Sequence, residues 1–287
     1  MDGLLLNTED LYSVCTNEVL REYGKPDMPW SVKAQLQGRP FPDVCRKSNH
    51  FSLLPRVVTT TDTPDFLPQA SRIFNEWAKL PCTFDEFNIK VKVHQAKYFP
   101  TCSPLPGVPE LLEGLTSANP TIHIALASSS NAQNFALKTS HLQHIFKHFP
   151  AERRLLGDDP RIPAGKGKPA PDIYLLALKS INDILAAEGK EEPIKPEECL
   201  VLEDAVPGVE AGRRAGMQVV WCPHPGLLDE CKDNQKEVLA GLTGGSKESD
   251  VNHVPNARAR FDDGYATLLH SLEDFPYAKF GINGTHR

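Results

Sequence analysis

Glu203 and Asp204 stand side by side in the stretch LVLEDAVPGVEAGRRAG, residues 200 to 216. Two adjacent carboxylates repel each other unless a cation or a proton lies between them. A hard divalent cation with oxygen ligands, of which Mg²⁺ is the economical choice, suits such a pair. A Glu-Asp pair that caps a helix from its N-terminal side is the plainer use of the same residues. Three further sets of groups carry polar chemistry: Asp2 beside Gly3, Ser128 at the head of Ser128-Ser129-Ser130-Asn131, and Lys168 just before Pro169. A hydroxyl, a fixed ammonium, helix N-terminal amides and a carboxylate-held cation each offset part of a phosphate's charge, so together they predict phosphoryl transfer. Taken singly, Ser128 suits a helix cap, Lys168 a solvated loop and Asp2 a turn.

These groups need elements that bring them to one place. Cys199 to Leu202 is apolar and too short for a helix, which predicts a strand covered on both faces and ending at Glu203. Pro207 suits the first turn of a following helix, and Val209, Ala211, Gly212 and Ala215 give that helix a face able to pack closely on a sheet. Further strands are expected at Ile122 to Ala127, Arg153 to Leu156 and Met217 to Trp221, and helices from Val108 to Leu115 and from Ile173 to Ala187. This alternation implies an α/β fold, a doubly wound parallel-sheet (Rossmann-like) core, whose carboxyl edge gathers all four sets of groups. Before it, Leu11 to Tyr23, Ser31 to Gln37 and Phe66 to Leu80 have helical spacing with no convincing strand among them, which predicts an inserted mainly helical cap. The expected division is therefore residues 1–10 and 96–224 for the core, 11–95 for the cap, and 225–287 for a C-terminal extension that completes or packs on the core. Tyr265 to Phe275 reads as a closing helix, Gly241 to Asp250 as a solvated loop, and the Asn283-Gly284-Thr285 sequon as chance.

Composition narrows the class. The 287 residues carry a net charge of -6, 40% hydrophobic and 24% charged residues, as an ordinary globular protein does. No basic stripe suggests nucleic acid, no apolar run suits a bilayer, and MDGLLLNTED lacks the basic and apolar regions of a signal peptide. A cytoplasmic, or nuclear, monomer is expected. The seven cysteines are scattered without CxxC spacing, which suits reduced thiols. His141, His144 and His148 are spaced to share a helix face and invite a zinc reading, but Leu142, Ile145, Phe146 and Phe149 between them favour a helix packed on the core.

The order of motifs, DG near Met1, ALASSS, GKPAPDIY and LVLEDAVPGVEAG, resembles the haloacid dehalogenase superfamily of phosphohydrolases, and MDGLLLNTE, LQGRP, ALKTS and LGDDP are similar to its pseudouridine 5'-phosphatase-like members. The resemblance implies a Mg²⁺-dependent hydrolase that removes phosphate from a small phosphorylated metabolite, a sugar phosphate or a nucleotide, through an aspartyl-phosphate. It implies that Asp2 is the general acid and base and lends its backbone carbonyl to the metal. Ser128 would bind phosphate together with Ser129 and Asn131, Lys168 would steady the aspartyl-phosphate, and Glu203 and Asp204 would hold the metal. Gly38 and Arg39 of LQGRP would lie in the cap loop facing the substrate. A phosphomutase of the same fold, or a non-catalytic member binding a phosphate ligand or a protein, would use the same residues. The chain departs from the pattern at two places: Asn7 replaces an aspartate, and the nucleophilic aspartate, two positions before Asp2, would precede Met1. The expectation is of a shortened N-terminus that also lacks the central strand, leaving an open slot between that strand's neighbours.

Overall fold

The computed structural model describes residues 1–38, 69–118, 120–189, 192–243 and 261–282. Arg39, residues 66–68 of the helix expected from Phe66, the span 244–250 and the sequon at 283–285 lie outside the described residues. In chain order the helices are α1 (Thr8–Glu22), α2 (Trp30–Leu36), α3 (Gln69–Ala78), α4 (Phe84–Tyr98), α5 (Val108–Thr116), α6 (Ala132–Thr139), α7 (Gln143–Phe146), α8 (Asp172–Glu188), α9 (Val206–Arg214), α10 (Pro225–Glu230) and α11 (Gln235–Ala240). The strands are β1 (Leu126–Ala127), β2 (Arg154–Leu155), β3 (Leu200–Glu203), β4 (Gln218–Trp221) and β5 (Ala266–Leu268).

Every strand pairing is parallel: β1 with β2, and β3 with β4 with β5. Side chains alternate across such a sheet, and the cores follow that alternation. Leu200, Leu202 and Val220 face a cluster with α5, α7 and Leu4 to Leu6, whereas Val201, Val219 and Trp221 face α8, α9 and Leu227. Helices thus cover both faces, the Rossmann-like arrangement expected from the strand and helix rhythm. No ladder joins β1 to β3 among the described residues. A slot of about 1220 Å³ lies between them, walled by Leu126 and Ala127 on one side and Leu200 to Leu202 on the other.

Helices α1 to α4 have a core of their own, in which Cys15, Val19, Leu20, Phe74, Phe87 and Phe99 are buried. Thr83 and Glu86 form a reciprocal capping box that starts α4. Ile89 and Val93, one turn apart on α4, are exposed.

Two expectations change. Residues 265 to 275 do not form a closing helix. Ala266 to Leu268 instead extend the sheet as β5, with Val219 donating to the Tyr265 carbonyl at 2.8 Å and Leu269 to the Trp221 carbonyl at 2.9 Å. Beyond it the Leu272–Glu273 backbone lies against Gly107, where a Cβ would come within 2.4 Å. An exposed edge of β4 left these backbone groups a better partner than one another. The expected strand from Ile122 shrinks to Leu126–Ala127, since no ladder partner faces its earlier residues among the described ones.

Removing a fully buried ring of the helical layer, in Phe74→Ala, is expected to destabilise the chain by about 3–5 kcal/mol. Urea titration followed by circular dichroism measures it.

Candidate functional site

The carboxyl ends of β1 and β3 open into a pocket of about 800 Å³ roofed by α1 to α4. Asp2, Ser128, Lys168, Glu203 and Asp204 all line it, as do Ser129, Asn131 and Gly38. Each is delivered by a local device. Asp2 reaches the pocket through a turn in which Gly3 has φ +66° and lies so close to Asp204 that a Cβ would meet its Oδ2 at 2.4 Å. Only glycine accepts both the left-handed backbone and that approach. Ser128 follows β1, its N–H bonded to the Leu155 carbonyl at 2.9 Å. Asn131 caps α6 by accepting the Asn134 N–H at 2.8 Å. Gly38, at φ +72°, sits against Ala205, where a Cβ would meet Ala205 Cβ at 2.8 Å.

The buried charges form pairs. Lys168 is salt-bridged to Glu203 and reaches the Ala127 carbonyl at 3.3 Å. Glu203 also accepts from the Tyr174 hydroxyl at 2.5 Å and from the backbone N–H groups of Asp204 and Ala205 at 3.2 Å each. Gly208 makes room for it, since a Cβ there would meet the Glu203 carboxylate. Burial alone would raise the Glu203 pKa, but Lys168 and these hydrogen bonds outweigh burial and hold it low. Lys33 pairs with Glu9 at 3.3 Å. No lysine or arginine pairs with Asp204 among the described residues. It accepts from Gln37 Nε2 at 2.8 Å, and burial, then the nearby Glu203 and Glu9, raise its pKa well above the ordinary carboxylate value.

A second lysine, not expected from the sequence, completes the site. Lys138, in the last turn of α6, is fully buried and donates to Asp2 Oδ1 at 2.6 Å, to the Tyr12 hydroxyl at 2.7 Å and to Ser130 Oγ at 2.8 Å. Ser130 in turn donates to Asp2 Oδ2 at 2.9 Å. Burial pushes Asp2 toward protonation, but Lys138 beside it prevails and its carboxyl titrates below the usual value. Burial pushes the Tyr12 hydroxyl up to about 12. Spacing gives no sign of this: Lys138 falls within an ordinary amphipathic helix, where a lysine is usually read as solvated. Gln37 is the other omission. Its Oε1 is buried without a partner and, like Asn88 Nδ2, lies in a residue lining the pocket.

The oxygen-only, anionic set around Asp204 has the donor chemistry a hard dication takes, and Gln37 Oε1 is a spare oxygen beside it. No three His, Cys, Asp or Glu side chains converge on a metal position among the described residues. That still fits an ion that keeps several waters and takes one or two carboxylates from the protein. The histidines do not share a helix face. His141 precedes the four-residue α7 and bonds the Cys102 carbonyl at 2.8 Å, and His148 follows that helix.

Lys138→Met leaves Asp2 an unmatched buried charge, with an expected loss of about 3–5 kcal/mol in chemical denaturation. Pairing with Asp2→Asn should recover much of it, which a double-mutant cycle reads directly.

Comparison with known proteins follows the same lines. The chain is 41% identical over 225 residues to a probable pseudouridine-5'-phosphatase of Saccharomyces cerevisiae, covering 78% of this chain and 80% of that protein. It is 34% identical over 267 residues to an uncharacterized protein of Schizosaccharomyces pombe, covering 91% and 94%, and 29% identical to (DL)-glycerol-3-phosphatase 2 of Arabidopsis thaliana, covering 84% and 85%. The fold superimposes on CbbY of Rhodobacter sphaeroides, solved in complex with phosphate, with a TM-score of 0.55 at 16% identity, covering 98% of this chain and 96% of that one. Residues 1–222 match the haloacid dehalogenase-like hydrolase family, and the chain belongs to it.

Proposed function

We propose that this hydrolase is a phosphatase of small phosphomonoesters, and that a nucleoside or polyol phosphate is its substrate. The observation that carries this reading is the convergence of Ser128, Lys168, Asp2 and Asp204 on one pocket of about 800 Å³, within the size range of small-molecule sites. The relatives named pseudouridine-5'-phosphatase and glycerol-3-phosphatase support it, since both names describe a phosphate on a small hydroxylated carrier.

In this reading Ser128 Oγ and the amides at the start of α6 receive the phosphate oxygens, and the Lys168 ammonium balances their charge. Glu203, tied down by Tyr174 and two backbone N–H groups, fixes Lys168. Asp2 is placed to exchange a proton with the departing oxygen and with the attacking water once a phosphate's negative charge lies beside it and favours its protonated form, while Lys138 and Ser130 hold its carboxyl in place. Asp204, with the Asp2 carbonyl and Glu203, would hold Mg²⁺, which supplies further charge neutralisation at the phosphoryl group when bound. The helical layer acts as a cap over the pocket, with Gly38 at its lining. Gln37 Oε1 and Asn88 Nδ2, an acceptor and a donor without partners, suit hydroxyls of the carrier.

The aspartyl-phosphate route needs an attacking carboxylate, and the resemblance would put it two positions before Asp2. The test compares residues 1–287 with a form extended upstream so that an aspartate directly precedes Met1, both with Mg²⁺ and pseudouridine 5'-phosphate or glycerol 3-phosphate. Release of inorganic phosphate by the extended form alone is the expected result. Equal release by both forms would sink the aspartyl-phosphate route, and release by neither would sink the phosphatase. In the active form, Lys168→Ala and Asp2→Asn should each lower kcat by about 10²–10³-fold.

A further inference from the structure

Asp158 lines the pocket and has no part in the chemistry above. It follows β2 in a loop held against the Ser128 loop, with the Ser128 N–H bonded to the Leu155 carbonyl at 2.9 Å and the Gly157 N–H to the Ser130 carbonyl at 2.8 Å. Both oxygens of its carboxylate accept the Ala132 N–H at the start of α6, at 3.1 Å each. A negative charge is thereby fixed beside the amide side chains Asn131, Gln133 and Asn134, which line the pocket with it. The next residue, Asp159, is answered by Arg161 at 2.7 Å. No lysine or arginine answers Asp158 among the described residues.

A helix N-terminus ordinarily favours an anion, because its free amides and its dipole both suit negative charge. At α6 the protein takes part of that place itself. Asp158 accepts the Ala132 N–H and the Asn131 side chain the Asn134 N–H, which leaves the transferred phosphate the other amides. A second anionic group, borne by the carrier of that phosphate, would meet a carboxylate where the helix would otherwise offer a donor. The lysines do not offset this. Lys168, Lys138 and Lys33 are each matched to a carboxylate, and Lys92, which lines the pocket from α4, is exposed and screened by water. A neutral carrier meets no such repulsion, and its hydroxyls can donate to Asp158, which only accepts.

We propose that Asp158 is a specificity-determining residue: it admits phosphomonoesters of neutral, hydroxyl-bearing carriers and disfavours those whose carrier has a second negative charge. This rests on the phosphatase reading of the pocket. Asp158 is itself exposed, so its discrimination is a modest factor and not an absolute one.

The test measures binding and not turnover, by calorimetric titration of residues 1–287 with glycerol 3-phosphate and with 3-phosphoglycerate, in Mg²⁺ at neutral pH and low salt. In the second ligand a carboxylate replaces the terminal hydroxymethyl group of the first. The unaltered chain is expected to bind glycerol 3-phosphate about tenfold more tightly. Asp158→Asn keeps an oxygen for the Ala132 N–H and removes the charge. It should strengthen binding of 3-phosphoglycerate by at least about fivefold and leave glycerol 3-phosphate within about twofold. Asp158→Ala, which also frees that N–H, should strengthen 3-phosphoglycerate further. Equal binding of the two ligands by the unaltered chain would overturn this inference alone. So would a ratio unchanged in both variants, and a fall in thermal midpoint beside that unchanged ratio would mark Asp158 as a helix cap only. Binding of neither ligand, nor of inorganic phosphate, would sink the phosphatase reading and this inference with it.

Discussion

Four carboxylates are crowded beneath the helical layer, and three lysines answer them. Lys138 meets Asp2, Lys168 meets Glu203 and Lys33 meets Glu9, each pair buried or nearly so. Taking an ion out of water costs several kcal/mol even after relaxation, so none of these groups can stand at this edge without its counterpart. Asp204 is the one of the four that no lysine meets among the described residues, held by an amide hydrogen bond from Gln37 and pushed toward protonation by its surroundings. A carboxylate without a lysine thus lies beside paired ammonium groups.

The scaffold exists to hold those pairs at fixed spacing. Glu203 and Asp204 end β3 because Val201 and Leu202 are locked between opposite cores. The close fit of α9 then follows from its glycines: Gly212 lies against Val201 and Val219, and Gly208 against the Glu203 carboxylate. Trp221, fully buried at the end of β4, donates from Nε1 to the Asp204 carbonyl at 3.0 Å, so the neighbouring strand also fixes the acidic pair.

Much of this was legible from residue types. Strand ends that run into Ser128, Lys168 and Glu203–Asp204 follow from short apolar runs bounded by polar turns, and those runs hold because parallel strands are buried on both faces. What sequence could not supply was pairing across long separations. Lys138 lies 136 residues from Asp2, and its burial depends on Tyr12 and Phe99 closing over it, with ring centroids at 4.7 and 4.6 Å from its ammonium. Gln37 is 167 residues from Asp204. Residues 266 to 268 were misread for a related reason, because their conformation is decided by the open edge of β4 and not by local preference.

Helix α2 joins the helical layer to the sheet at several points at once. Trp30 stacks on His224 at 4.5 Å and crowds Gly226, Lys33 holds Glu9, and just beyond the helix Gln37 holds Asp204 while Gly38 rests on Ala205. A shift of α2 away from the sheet would break an aromatic stack, uncover an ion pair and admit water to the one carboxylate without a lysine, all in the same movement. The position of α2 and the exposure of Asp204 to water are therefore tied to each other.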